Sequence, residues 1–190
     1  MNKKMIIRVS VMAIAYLALF IVGASSGIIH PACYAYIGAL MPIGYAFVYL
    51  YTSSQMRCFG AATALNGFLL VLGLLTGEAD VAFIVGIVLL TALAEIIRKC
   101  YGYDTLKGIR LSFLPFAYSF FAYTAHWWTD TEGSLAAAVE EMPAGYDQLM
   151  RPVIDNIPLL VVVLLVTIPV AILSMRFAER MMKKTIVTLK

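Results

Sequence analysis

Residues 157–178 read Ile-Pro-Leu-Leu-Val-Val-Val-Leu-Leu-Val-Thr-Ile-Pro-Val-Ala-Ile-Leu-Ser-Met-Arg-Phe-Ala, with no charge before Arg176. An α-helix rises ~1.5 Å per residue, so ~20 such residues cross ~30 Å of hydrocarbon. The run is continuous rather than alternating, which is the pattern of a helix and not of a membrane barrel strand. The same reading outward along the chain finds five more runs, at 6–24, 32–52, 58–76, 81–98 and 109–128. The expected fold class is therefore all-α: a polytopic membrane protein with six transmembrane helices in one domain, 1–190. Pro42, Pro115, Pro158 and Pro169 lie inside these runs and mark helix starts or kinks.

Composition agrees. The chain has 190 residues, 62% hydrophobic and 13% charged, against roughly 45–50% and 25% for soluble domains. Sparse charge excludes a disordered or nucleic-acid-binding chain, and three cysteines are too few for a disulfide scaffold. Cys33 falls near the outer end of the second run and Cys58 and Cys100 near the inner surface, with no metal-ligand spacing among them. Lys3, Lys4, an apolar run and small residues from Gly23 to Ser26 imitate a secretory signal. The run exceeds the usual roughly 7–15 residues, so it reads as a retained first helix.

Charge orients the bundle. With both termini cytoplasmic, the inner segments hold Lys3, Lys4, Arg8, Arg57, Arg98, Lys99, Lys107, Arg110, Arg176, Arg180, Lys183, Lys184 and Lys190, and the outer side keeps only Arg151. Glu78, Asp80, Asp130, Glu132, Glu140, Glu141, Asp147 and Asp155 fall outside, against Glu95, Asp104 and Glu179 inside. The outer face is then net −7 and the inner face +10, summing to the chain's +3. That acidic excess is either a solvated loop or a field felt by what approaches from outside.

One connection is long. The outer loop 129–156 contains Ser134-Leu-Ala-Ala-Ala-Val-Glu-Glu-Met142 before Pro143, which predicts a short helix capped by Ser134. It is either a lid over the outer mouth or a spacer. His30, Tyr34, Tyr36, Tyr118, Tyr123, His126, Trp127 and Trp128 gather at the same level. Interfacial preference accounts for such rings, and ligand binding is the alternative reading. Asn66 in the middle of the third run needs a partner on a facing helix or in a cavity. Glu95 and Arg98 share a helical face and predict an ion pair at the membrane surface. Gly60 with Ala64, and Ala35 with Ala39, have small-residue spacing for close helix packing. No nucleophile–base constellation, HExxH or P-loop is present, so no enzyme is expected and ATP must come through another chain.

Ala13-Ile-Ala-Tyr-Leu-Ala-Leu-Phe-Ile-Val-Gly23, Arg57-Cys-Phe-Gly60, Leu74-Leu-Thr-Gly77 and Leu93-Ala-Glu-Ile-Ile-Arg98, followed by a Tyr-rich basic inner loop, resemble the bacterial Trep-Strep integral membrane proteins. The resemblance covers most of the chain in order. It implies a substrate-capture (S) component of energy-coupling factor (ECF) transporters in the bacterial cell membrane. Such a subunit takes a micronutrient outside and docks on a transmembrane coupling (T) subunit with two ATPases. The resemblance also implies ligand contacts near His30, Tyr34, Tyr118, Tyr123, His126 and Trp127. Asn66 and Arg151, the sole outer base, complete the candidate substrate-binding set. Small alanines on the first helix, here Ala13, Ala15 and Ala18, would meet the coupling subunit, although no pair of them has i, i+4 spacing.

The ligand this resemblance implies is a vitamin-like or cofactor-like molecule, or an iron-containing chelate such as haem or a siderophore complex. With Arg151 as the only outer base, polyanionic vitamins are disfavoured. Two other classes stay open: an assembly or accessory membrane protein that needs no pocket, and a membrane enzyme acting on lipid through His126 and the acidic loop.

Overall fold

The computed structural model describes residues 3–183; Lys184 and Lys190 of the inner basic set lie outside the described residues. Among the described residues there are helices and no strands. They are α1 (Lys3–Ser25), α2 (Pro31–Tyr36), α3 (Pro42–Gln55), α4 (Ala61–Thr76), α5 (Val81–Tyr101) and α6 (Leu106–Phe116). There follow α7 (Ser119–Thr124), α8 (His126–Thr129), α9 (Thr131–Glu141), α10 (Tyr146–Ile154) and α11 (Ile157–Met181).

The last helix shows what solvent the bundle was built for. On α11 the exposed side chains include Leu159, Val162, Leu165, Ile172, Leu173 and Phe177, and the buried ones include Thr167, Ala171, Ser174 and Ala178. Small and polar residues inside, with large apolar ones outside, invert the soluble pattern and suit packing in lipid. The helices α1, α5 and α11 are long and apolar enough to cross a membrane, and α2 with α3 forms a fourth candidate bent by 42°.

The other two expected spans are corrected in form. The α4 helix covers 16 residues, about 24 Å at ~1.5 Å per residue. The run 109–128 is not one helix but α6, α7 and α8. Pro115 lacks the N–H that would continue the ladder, so the chain turns through Ala117 and Tyr118 before α7 begins.

A fully buried aromatic column joins these pieces. Tyr16 meets Tyr45 with centroids 4.6 Å apart and Tyr49 meets Phe116 at 4.5 Å, so α1, α3 and α6 share one core. Close approach on the other side needs Gly86, because a Cβ there would stand 2.8 Å from the Ala122 Cβ where α5 packs on α7.

Polar groups fix the register. Asn66 Oδ1 accepts from the Tyr16 hydroxyl at 2.8 Å and its Nδ2 donates to Thr91 Oγ1 at 2.9 Å, joining α1, α4 and α5. Glu95 and Arg98 do not make the expected surface pair, because each is taken by backbone. Glu95 Oε1 accepts from Ala62 N and Thr63 N at 2.8 and 3.3 Å, capping α4 from a neighbouring helix. Arg98, fully buried, donates to the carbonyls of Ser53, Met56 and Tyr103 at 3.3, 2.8 and 3.2 Å. The expected Gly60–Ala64 helix face is also absent: Gly60, at φ 119°, is the left-handed cap before α4.

Connection 129–156 holds two helices rather than one. Asp130, not Ser134, caps the first, accepting from Gly133 N at 3.3 Å, so helix α9 begins earlier than predicted. Helix α10 packs on α9 and α2. The Tyr36 hydroxyl and Trp128 Nε1 hold its C-terminal end through the carbonyls of Val153 and Ile154.

Candidate binding site

Two adjoining cavities lie where α2, α7, α8, α9 and α10 meet. The larger, about 800 Å³, runs from Glu78 and Asp80 across Tyr123, His126 and Trp127 to the face of α9. The smaller, about 340 Å³, lies between His30 and Pro31 on one side and Pro143, Tyr146 and Leu149 on the other. Tyr34, Tyr123 and Met142 line both. Sites of this size and concavity hold small molecules.

Each wall has a local cause. His30 is extended at the start of α2, where Nδ1 accepts from Ala32 N at 3.1 Å and Pro31 supplies the first helical residue. Helix α2 presents the buried Tyr34, whose ring stands nearly perpendicular to those of Tyr123 and Trp127, each centroid 6.1 Å away. The break at Tyr118 turns α7 so that Phe20, Phe83 and Phe120 pack around Tyr123. The Tyr123 hydroxyl donates to Glu78 Oε2 at 3.4 Å.

His126 is fixed by Ser134 of α9. The Ser134 hydroxyl donates to the His126 carbonyl at 3.1 Å and lies 2.8 Å from Nδ1. Both contacts are satisfied when Nδ1 carries the proton, which leaves Nε2 as an acceptor in the neutral ring. Trp127 packs against this imidazole at 4.7 Å and is 3% exposed, with no partner for Nε1 among the described residues. The two adjacent tryptophans therefore differ. Trp128 donates to α10, whereas Trp127 lines the larger cavity.

Five of the eight residues singled out from sequence as substrate-binding line these cavities: His30, Tyr34, Tyr123, His126 and Trp127. The other three stand elsewhere. Asn66 borders a separate apolar groove of about 690 Å³ between α4 and α5. The Tyr118 hydroxyl donates to the Leu164 carbonyl at 2.7 Å. Arg151 makes a two-pronged contact with Glu132 at 2.7 and 3.1 Å on the surface. That pairing lowers the Glu132 pKa and raises that of Arg151, through hydrogen bonding first and charge second.

The sequence reading missed the acidic wall. Glu78, Asp80, Asp130 and Glu141 line the larger cavity, and among the described residues no Lys or Arg does. The acidic excess at this level was the available signal. Its convergence was not visible, because Asp80 and Asp130 arrive as caps of two helices distant in sequence. Among the described residues no group of three or more His, Cys, Asp or Glu side chains forms a metal site.

On α1, Ala13 is buried, Ala15 is half-buried and only Ala18 is exposed.

Comparison with curated proteins and with solved structures gives no match. A family description, "Hypothetical bacterial integral membrane protein (Trep_Strep)", matches residues 3–186. With nearly its whole length matched, and with apolar helices that turn their large side chains outward, the chain belongs to the Trep_Strep family of bacterial integral membrane proteins.

Proposed function

We propose that this protein is the substrate-capture (S) component of an ECF-type importer in the bacterial cell membrane. It takes a vitamin-like or cofactor-like nutrient, or an iron-bearing chelate, from outside. The observation that carries the reading is the aromatic two-lobed cavity beneath α9 and α10, at the end of the bundle where Arg151 is the one base among the described residues. A binding subunit needs such a pocket and no catalytic centre of its own. In this reading the chain crosses six times, through α1, α2 with α3, α4, α5, α6 to α8, and α11. Both termini are cytoplasmic, as the inner excess of Lys and Arg requires. Helices α9 and α10 act as the lid.

Energy comes from partner chains, a coupling membrane subunit with two ATPases, because this sequence has no phosphate-binding loop. Helix α1 offers the docking surface. Ile7, Val11, Ile14, Ala18 and Ile21 are all exposed and recur at alternating spacings of four and three, the seam of a helix pair. Of the alanines expected at that interface, Ala18 is the one on this seam.

Impermeant-maleimide labelling of intact cells tests the orientation. In a Cys33→Ser background, Thr129→Cys is expected to label at once, and Cys58 and Cys100, both exposed at the opposite end, only after the membrane is opened. Labelling of Cys58 and Cys100 with protection of residue 129 would place the cavity inside and overturn capture from outside.

A further inference from the structure

Resting on that capture reading, we propose that the ligand is an organic cation: a protonated amine, a quaternary ammonium or a charged N-heterocycle of vitamin size. Its charge lies among Glu78, Asp80, Asp130 and Glu141, and its body lies against Tyr34, Tyr123 and Trp127.

The electrostatics of the larger cavity carry the argument. Four carboxylates line it and, among the described residues, no Lys or Arg does. Two of them cap helices, Asp80 accepting from Phe83 N at 2.7 Å and Asp130 from Gly133 N at 3.3 Å. A helix start supplies about half a positive charge. The two helix starts therefore offset about one of the four negative charges, and about three remain. Arg151 is held by Glu132 and is not among the residues that line the cavity. Low-dielectric walls focus such a field, so it draws in a cation and repels an anion. A chelate bearing carboxylates would meet it as repulsion.

The walls fit the same ligand. Tyr34, Tyr123 and Trp127 all line this cavity, and an aromatic ring attracts a cation seated over its face. With its one proton on Nδ1 toward Ser134, the His126 ring would offer Nε2 as a further acceptor beside the four carboxylates, which suits a ligand rich in N–H groups.

Two buried polar groups without partners point independently to an occupant. Trp127 Nε1 in the larger lobe has none among the described residues, and neither has the Tyr146 hydroxyl in the smaller. Gly27 and Tyr146 line that lobe together, and the Tyr146 oxygen lies 3.2 Å from where a Cβ on Gly27 would stand, so glycine lets the hydroxyl pack close to the backbone there. Buried polar groups of this kind are normally satisfied. A ligand acceptor reaching Trp127 and a polar group reaching Tyr146 would complete them, with Ile28, Pro31 and Leu149 around the apolar remainder.

Intrinsic fluorescence reads the test, because the chain's two tryptophans are adjacent and one lines the cavity. The purified full chain is titrated with benzyltrimethylammonium, with neutral phenylacetamide and with phenylacetate. The cation is expected to give a saturable change with affinity at least about tenfold above either analogue, the ratio that ~1.4 kcal/mol of charge recognition gives. Glu78→Gln with Glu141→Gln, which leaves both helix caps intact, should remove most of the preference for the cation over phenylacetamide. Equal or tighter binding of phenylacetamide or phenylacetate overturns the cation assignment and leaves the capture reading standing. No saturable response to any probe from folded protein also overturns the assignment, while capture is then judged separately by which subunits accompany the chain.

Discussion

Asn66 and Tyr16 are both fully buried and bonded at 2.8 Å, with Asn66 also bonded to Thr91, so this node can be taken apart in steps. Interhelical hydrogen bonds in membrane proteins average about 0.6 kcal/mol, and a stranded buried hydroxyl costs ~1–3 kcal/mol. Asn66→Leu removes two bonds and strands the Tyr16 hydroxyl, for a loss of about 2–3 kcal/mol. Tyr16→Phe removes one bond and leaves Asn66 Oδ1 without its donor, for about 1–2 kcal/mol. In the double variant no stranded hydroxyl remains. The combined loss should therefore fall short of the sum of the singles by at least about 2 kcal/mol. Equilibrium unfolding in mixed micelles of the four proteins measures the cycle. Additivity within ~0.3 kcal/mol would show that the two side chains do not depend on each other, and would refute the node.

Glu95→Gln keeps an acceptor at the start of α4 but loses the charge, so hydrogen exchange at Ala62 and Thr63 should quicken by roughly tenfold, with α11 unaffected. Unchanged protection would mean that α4 is not capped from α5. Gly86→Ala places a methyl 2.8 Å from the Ala122 Cβ, an overpacking cost of ~1–3 kcal/mol, read as a lowered melting temperature and a changed Trp127 emission as α7 shifts. The exposed Glu132–Arg151 pair gives a pH signature instead. The Glu132 pKa is lowered by Arg151, so the pair's contribution is present above the ordinary glutamate range and is lost as pH falls through the lowered value. Carboxyl NMR should show Glu132 titrating below its usual range, and within that range in Arg151→Ala. An identical titration in the two proteins would contradict the bridge between α9 and α10.

Membrane class and helix class were legible because they depend on the length and continuity of apolar runs, which lipid enforces locally. The breaks were harder to read. Pro115 marked a kink, but that α7 and α8 would form separate short helices depended on the packing of Tyr123 and Trp127 against α1, α2 and α5. Ser134 carried a good cap signal and lost it to Asp130, because the hydroxyl is used by His126 eight residues earlier, a contact no local pattern announces. Glu95 and Arg98 share a face as spacing requires. Their partners are nevertheless backbone groups of α3, α4 and the segment after α5, which become visible only once those helices meet. The aromatic half of the cavity was readable from residue type and depth. The acidic half required knowing that the starts of α5 and α9 converge.

The central claim is capture on behalf of an ATP-driven importer. It is tested most directly by recovering the tagged chain in mild detergent from its native membranes and identifying its companions by mass spectrometry. The account predicts a coupling membrane subunit with paired ATPases, and loss of that recovery when Ala18 on the α1 seam is replaced by Trp. Recovery of the protein alone, from membranes in which such a module is expressed, would contradict it.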